Sequence, residues 1–157
     1  MPLILQGKTK KVLVISTGFA DDDWTIKYDL DWNAPYAISK AGLNTAVAKF
    51  SAQYRKDGVL FIAISPGAVD TGYFDNRKDL LPVTSSDVVA NGLAVTEAQM
   101  RKGGEIFEIF KRYAPHFTGP VKPEAAVKDV LSVFDKASVT TGLAGAFVSH
   151  FGTKQWL

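Results

Sequence analysis

Two kinds of apolar pattern divide this chain. Short unbroken runs predict strands, and apolar residues recurring every three or four positions predict helices. Lys11 to Thr17 reads as the first strand, with Val12, Leu13, Val14 and Ile15 in succession. A run without polar alternation suits a strand covered on both faces, as in a parallel sheet beneath helices. Gly18 ends it. Pro35 opens a helix that reaches to about Lys56, since proline's missing N–H costs nothing in the first turn. Leu43, Val47, Phe50 and Tyr54 are its expected buried stripe. Asp57-Gly58 has the turn chemistry that stops it. Val59 to Ser65 is a second fully apolar strand, broken by Pro66-Gly67. Strand, helix, strand in this order is the crossover unit of a parallel α/β sheet.

The remaining segments are less regular. Phe19 to Asn33 reads as a polar loop with an acidic cluster at Asp21, Asp22 and Asp23. Ala68 to Leu93 is expected to be loop with short helical pieces. Thr96 to Tyr113 predicts a helix interrupted near Gly103-Gly104, with Met100, Ile106, Phe107, Phe110 and Tyr113 on its apolar side. Pro123 starts another helix, with Glu124 well placed against its N-terminal dipole. Val127, Val130, Leu131 and Phe134 fall at helical spacing and form its expected inner face. Ala146 to His150 is a third short strand. The sum is an α/β chain with about three parallel strands and flanking helices.

Composition narrows the function classes. A length of 157 residues, 46% of them hydrophobic and 22% charged, suits a single domain over the whole chain with a substantial core. The formal charge of +2 is dispersed, so no basic stripe suggests nucleic acid. The absence of cysteine excludes disulfides and thiolate metal sites and is compatible with a cytoplasmic location. No apolar run approaches the ~20 residues of a membrane span. Met1 to Gln6 is apolar and precedes Lys8, Lys10 and Lys11, the reverse of a signal peptide's order.

The sharpest chemical signal is Tyr36-Ala37-Ile38-Ser39-Lys40. Four residues on a helix is about one turn, so phenol and ammonium share a face. The positive charge favours phenolate and suits the pair to acid/base work. Alone the spacing is weak, because most such pairs are solvated helix surface. Context strengthens it. Tyr36 to Gly42 resembles the Tyr-x-x-x-Lys signature of the short-chain dehydrogenase/reductase family. Val12 to Thr17 resembles the family's fifth strand, which ends in a catalytic hydroxyl residue. Ser65-Pro66-Gly67-Ala68-Val69-Asp70-Thr71 resembles the Pro-Gly-x-Val-x-Thr stretch after its sixth strand. The resemblance runs through nearly the whole chain and extends to fungal members at Tyr113 to Phe117 and Phe147 to Gly152.

That resemblance implies a partial Rossmann-like, doubly wound sheet and an NADP (or NAD) dependent oxidoreductase acting on a small carbonyl or alcohol. Tyr36 would exchange the proton with the substrate oxygen. Lys40 would favour the phenolate and hydrogen-bond the nicotinamide ribose. Thr17, or its neighbour Ser16, would hold the substrate oxygen. Pro66 and Gly67 would let the backbone approach the nicotinamide, with Val69 and Thr71 contacting its carboxamide. The loop from Thr17 to Tyr36 is longer than the family's usual spacing. The helix 36–56 is the surface through which members often pair, which implies a homo-oligomer.

The resemblance is to the family's C-terminal half. A full member opens with a strand and a Gly-rich turn that seats the pyrophosphate on a helix N-terminus. No such turn occurs here, so the N-terminal half is expected to be missing. An inactive fragment or interaction module is therefore the alternative, with an unpaired apolar strand edge at Val12 to Ile15. The other candidates are weaker. Asp21 to Asp23 reads as a solvated loop, His116 and His150 as too isolated for a metal, and Asn76 to Val95 as an insertion. The region from Thr96 to Phe117 reads equally as a lid over an apolar pocket or as ordinary packing of an amphipathic helix.

Overall fold

The parallel sheet follows from which backbone groups the apolar runs can pair. In a computed structural model of the chain, which describes residues 1–71 and 97–157, three strands lie in the order β1-β2-β3, all parallel. These are β1 (Lys11–Ile15), β2 (Leu60–Ser65) and β3 (Phe147–Ser149). Lys11 pairs with Leu60 and Ile15 with Ile64, while Ala63 pairs with Phe147 and Ser65 with Ser149. β2 is buried along its whole length, as a central strand covered on both faces must be. The sheet is α/β with flanking helices, the partial Rossmann-like arrangement expected.

Side chains alternate between the two faces with a period of two. Leu60, Ile62 and Ile64 pack with Val130, Ala137 and Val148 on one side. Val59, Phe61 and Ala63 pack with Val47 on the other. Ile62 and Ile64 are fully buried, each contributing about 1.5–3 kcal/mol by burial. The first layer is closed by a helix at Pro123–Lys136 and the second by a helix at Ala34–Tyr54. The Pro2–Gln6 helix adds Ile4 and Leu5 to the second layer. In chain order the helices are α1 (Pro2–Gln6), α2 (Asp22–Tyr28), α3 (Ala34–Tyr54), α4 (Glu97–Tyr113) and α5 (Pro123–Lys136). None of them is long and apolar enough to cross a membrane.

Several expectations are corrected. The acidic cluster is the start of a helix and not a loop. Asp21 caps α2 by accepting the Trp24 N–H at 2.8 Å, and Asp22 and Asp23 occupy the first turn, where negative charge opposes the helix dipole. The apolar start at Pro2–Gln6 is likewise helical. α4 runs through Gly103 and Gly104 without a break, because interior glycine costs a helix only about 1 kcal/mol. On α5 the inner face is Ala126, Val130, Val133, Phe134 and Ala137, whereas Val127 and Leu131 are exposed. On α3 Val47 is buried but Phe50 is 46% exposed, though it stacks on Phe61 at 5.6 Å. The expected insertion at Asn76 to Val95, and the loop at Ala68 to Leu93 beyond Thr71, lie outside the described residues.

Candidate active site

β1 and β2 end side by side, and the chain turns away sharply after each. Strand alternation sends the next two residues of the first turn in opposite directions. Ser16 is 2% exposed, and its hydroxyl donates to Asn44 Oδ1 of α3 at 2.7 Å. Thr17 instead lines a cavity of about 360 Å³ at the strand ends. Its Oγ1 accepts the Phe19 N–H at 3.4 Å and starts a short 3₁₀ turn at Gly18–Ala20. Of the two hydroxyls the sequence offers, only Thr17 borders this cavity.

Tyr36 lines the same cavity and is 39% exposed. It sits in the first turn of α3, after Asn33 adopts the left-handed region at φ 63°. Lys40, one turn on, places Nζ 5.8 Å from the centre of the Tyr36 ring. The same ammonium donates to the Ile15 carbonyl at 2.9 Å. Ser16 N–H pairs with Ile64 O, so the alternation of a parallel ladder turns the Ile15 carbonyl to the far side of β1. Among the described residues that side has no neighbouring strand. Lys40 therefore caps an acceptor at the sheet's edge and holds α3 against the end of β1.

The sequence reads Ser65, the last residue of β2, as a strand end and motif residue but not as a site residue. It is buried, lines the cavity, and accepts the Gly18 N–H at 3.1 Å and the Gly67 N–H at 3.4 Å. One hydroxyl thus ties together the two turns that frame the site. Its signal in the sequence was a serine immediately before Pro-Gly at the close of an apolar run.

The segment after β2 is held by a short parallel bridge between Val69 and Val121. Asp70 N–H donates to Val121 O at 2.8 Å and Val121 N–H to Ala68 O at 2.9 Å. An ion pair from Lys122 to Asp70 at 2.7 Å reinforces it. Alternation turns Val69's own N–H and C=O away from Val121, and Val69 lines the cavity with Gly67. Pro66 lines a second, smaller cavity of about 220 Å³ that also brings His116 and His150 together. Thr71 is exposed and borders neither cavity.

Gly67 has a specific steric reason. Its φ is +78°, and a Cβ there would stand 2.7 Å from His150 Cε1. The histidine ring occupies the space a side chain would need. Burial pushes the His150 pKa down, with Asp129 and the Ser65 backbone pulling the other way.

The opposite wall of the main cavity is aromatic. Trp24 stacks with Phe110 at 5.9 Å, and Phe19 lies 5.7 Å from Trp24. Trp156 and Leu157 close one side. The segment bearing them is fastened by the Tyr113 hydroxyl, which accepts the Trp156 N–H at 2.9 Å, and by a Lys154–Asp21 ion pair at 3.0 Å. Burial raises the Tyr113 pKa, against the Trp156 N–H bond that lowers it. Trp24 is 5% exposed, and among the described residues its Nε1 has no hydrogen-bond partner. A buried donor left so costs about 1–3 kcal/mol.

Comparison with known proteins agrees with the residue pattern. No family model matches the chain. A short chain dehydrogenase, virK, of Hypocrea virens is 51% identical over all 157 residues. Over its whole length the chain is similar to proteins named as short-chain dehydrogenases/reductases. A short-chain dehydrogenase/reductase, iacC, of Pestalotiopsis fici is 44% identical over the same length. The chain spans about half the length of these curated relatives, 51% in each case. Among solved structures, an NADPH-bound carbonyl reductase from chicken fatty liver is similar with a TM-score of 0.58 at 18% identity. That match covers 97% of this chain and 47% of the reductase, and supports the fold.

Proposed function

We propose that this chain carries the proton-transfer and carbonyl-binding part of an NADP (or NAD) dependent oxidoreductase acting on a ketone or secondary alcohol. The observation that carries the reading is the shared cavity of the Tyr36 phenol and the Thr17 side chain, with Lys40 one turn beyond the tyrosine. In the reductive direction, Tyr36 Oη gives its proton to the carbonyl oxygen. Thr17 Oγ1 donates a hydrogen bond to that oxygen as negative charge gathers on it. The Lys40 ammonium favours the phenolate left behind. In oxidation the proton moves the other way.

The donor set fits the nicotinamide end of such a cofactor, which would supply or accept the hydride when bound. The Val69 N–H and C=O match the acceptor and donor of a carboxamide. One Lys40 N–H is taken by Ile15 O, which leaves others for the ribose hydroxyls. Pro66 and Gly67 carry the backbone past this position, and Thr71 follows at the end of the same segment. The motif order supports assigning the chain to the C-terminal half of the family fold. Ile38, 70% exposed, and Phe50 on α3 favour an oligomer through helix 36–56.

Equilibrium binding of NADPH, followed by fluorescence, tests the reading. One-to-one binding abolished by Lys40→Ala supports it, and no binding at millimolar cofactor removes it. A second reading, a non-catalytic fragment or interaction module, is favoured by the edge of β1, which has no neighbouring strand among the described residues and where Ile15 is 46% exposed. Size-exclusion chromatography separates the two, because strand pairing through that edge gives concentration-dependent assemblies without cofactor binding.

A further inference from the structure

We propose that Ser65 is a positioning residue. Its one hydroxyl holds the turn after β1 and the turn after β2 in register, and so spaces the substrate oxygen from the nicotinamide for hydride transfer. This rests on the reading of those turns as the Thr17 carbonyl site and the Gly67 to Val69 cofactor site, and adds the group that sets them apart.

The backbone ladder between β1 and β2 stops short of the site. Its last rung among the described residues is the Ser16 N–H on the Ile64 carbonyl at 2.9 Å. The next rung of a parallel ladder would put the Gly18 N–H on the Pro66 carbonyl, two residues further along each strand. Gly18 N–H donates instead to Ser65 Oγ at 3.1 Å. A side-chain oxygen thus takes over from the backbone where the second strand turns away. The same oxygen accepts the Gly67 N–H more loosely, at 3.4 Å, which occupies both of its acceptor lone pairs.

Each donor glycine is also packed against a ring. A Cβ on Gly18 would stand 2.9 Å from Trp156 Cβ and 3.1 Å from Trp24 Cζ3, and one on Gly67 would stand 2.7 Å from His150 Cε1. Neither position has room for a side chain, and both give their N–H to one serine. Ser65 is 2% exposed, so water is a poor substitute for its hydroxyl. Thr17 directly precedes Gly18, Val69 follows Gly67 by two residues, and both line the main cavity. Their spacing is therefore transmitted through Ser65, which need touch neither substrate nor cofactor. An error of about 1 Å in such a spacing can cost a factor of about 10² in rate.

Amide hydrogen exchange, read by NMR on the chain without ligand, tests this together with steady-state kinetics. In the unaltered chain the Gly18 and Gly67 amides should exchange at least about a hundredfold more slowly than in an unstructured chain. Ser65→Ala should speed Gly18 exchange about tenfold relative to the β2 amides, the scale of one buried hydrogen bond, with a smaller gain at Gly67. Ser65→Cys keeps the volume but accepts poorly, and should match alanine. With NADPH and methyl naphthyl ketone, both variants should lower kcat per folded molecule about ten- to a hundredfold and leave both KM values within about threefold.

Free exchange at Gly18 in the unaltered chain overturns the proposal, whether or not the variants fold. So does Ser65→Ala exchange that speeds Gly18 and the β2 amides alike, a cysteine variant that behaves as the unaltered chain, or an unchanged kcat per folded molecule. Where NADPH binds without turnover of this ketone, the exchange pattern decides. The two readings fail separately. Protected glycines in a chain that neither binds nor oxidises NADPH remove the oxidoreductase reading and leave Ser65 a structural clamp. Turnover with unprotected glycines removes only the positioning role.

Discussion

Replacing Gly67 with alanine should destabilise the protein through two separable effects. The backbone at Gly67 has φ +78°, a left-handed conformation that costs an L-residue about 1–2 kcal/mol. The new Cβ would also stand 2.7 Å from His150 Cε1 and 3.0 Å from Nδ1. His150 cannot retreat freely, because its ring centre lies 3.9 Å from that of Phe151. Overpacking of this kind adds about 1–3 kcal/mol. The sum, about 2–5 kcal/mol, is a large fraction of an ordinary domain's stability.

Urea denaturation of Gly67→Ala, His150→Ala and the double variant separates the terms. His150→Ala opens the space the methyl needs but leaves the left-handed backbone strained. The double variant should therefore be less destabilised than the sum of the singles, by the overpacking term of about 1–3 kcal/mol. A loss below about 1 kcal/mol for Gly67→Ala, or strict additivity, refutes the steric account. Gly67 would then be explained by the turn alone, and His150 would be incidental to the path from Pro66 to Val69.

The other expectations concern single groups. Tyr36→Phe should lower ketone-dependent NADPH oxidation by about a hundredfold or more with little change in urea midpoint, because a general acid contributes 10²–10⁴. Ser16→Ala should cost about 1–3 kcal/mol in urea by orphaning Asn44 Oδ1, whereas Thr17→Ala should lower turnover about a hundredfold with little loss of stability. Chemical denaturation against pH should show stability falling below about pH 6.5: burial lowers the His150 pKa in the folded chain, so the unfolded chain binds the extra proton first. His150→Ala should flatten that acid limb. On the alkaline side Tyr113 ionises later in the folded state, so stability should fall as pH rises past about 10. Tyr113→Phe should remove that limb and cost about 1 kcal/mol through the orphaned Trp156 N–H.

The parts of the fold legible in the sequence are those whose cause is local. Leu60 to Ile64 is apolar without interruption because both faces of β2 are covered, whereas the equally apolar Val12 to Ile15 is half-buried up to Val14 and exposed at Ile15; the ends of both strands were displaced only by one or two residues. Tyr36 and Lys40 meet because one helical turn separates them, a relation that spacing alone contains. α5 was assigned correctly as a helix but with its inner face rotated. Ala126 and Ala137 are buried and too small to stand out, while Val127 and Leu131 are exposed and drew the pattern to themselves. α2 was missed because Asp21 to Asp23 was weighed as charge and not as a cap and first turn.

What stayed hidden is carried by contacts far apart in sequence. Asp21 meets Lys154, Tyr28 meets Tyr113, and Gly18 leaves room for Trp156, whose Cβ would otherwise lie 2.9 Å from an added methyl. No window of a dozen residues contains any of these pairs. The hydroxyls that line the cavity come from the turn after β1, the end of β2 and the first turn of α3, elements whose positions the sheet dictates. The aromatic wall comes from α2, α4 and the segment at Trp156, which meet only beyond the strand ends. Substitution in the wall can therefore change what enters the cavity while leaving Tyr36, Thr17 and Lys40 in place. This separation leaves the Tyr36–Lys40 pairing legible in a short motif and the cavity's wall to tertiary structure.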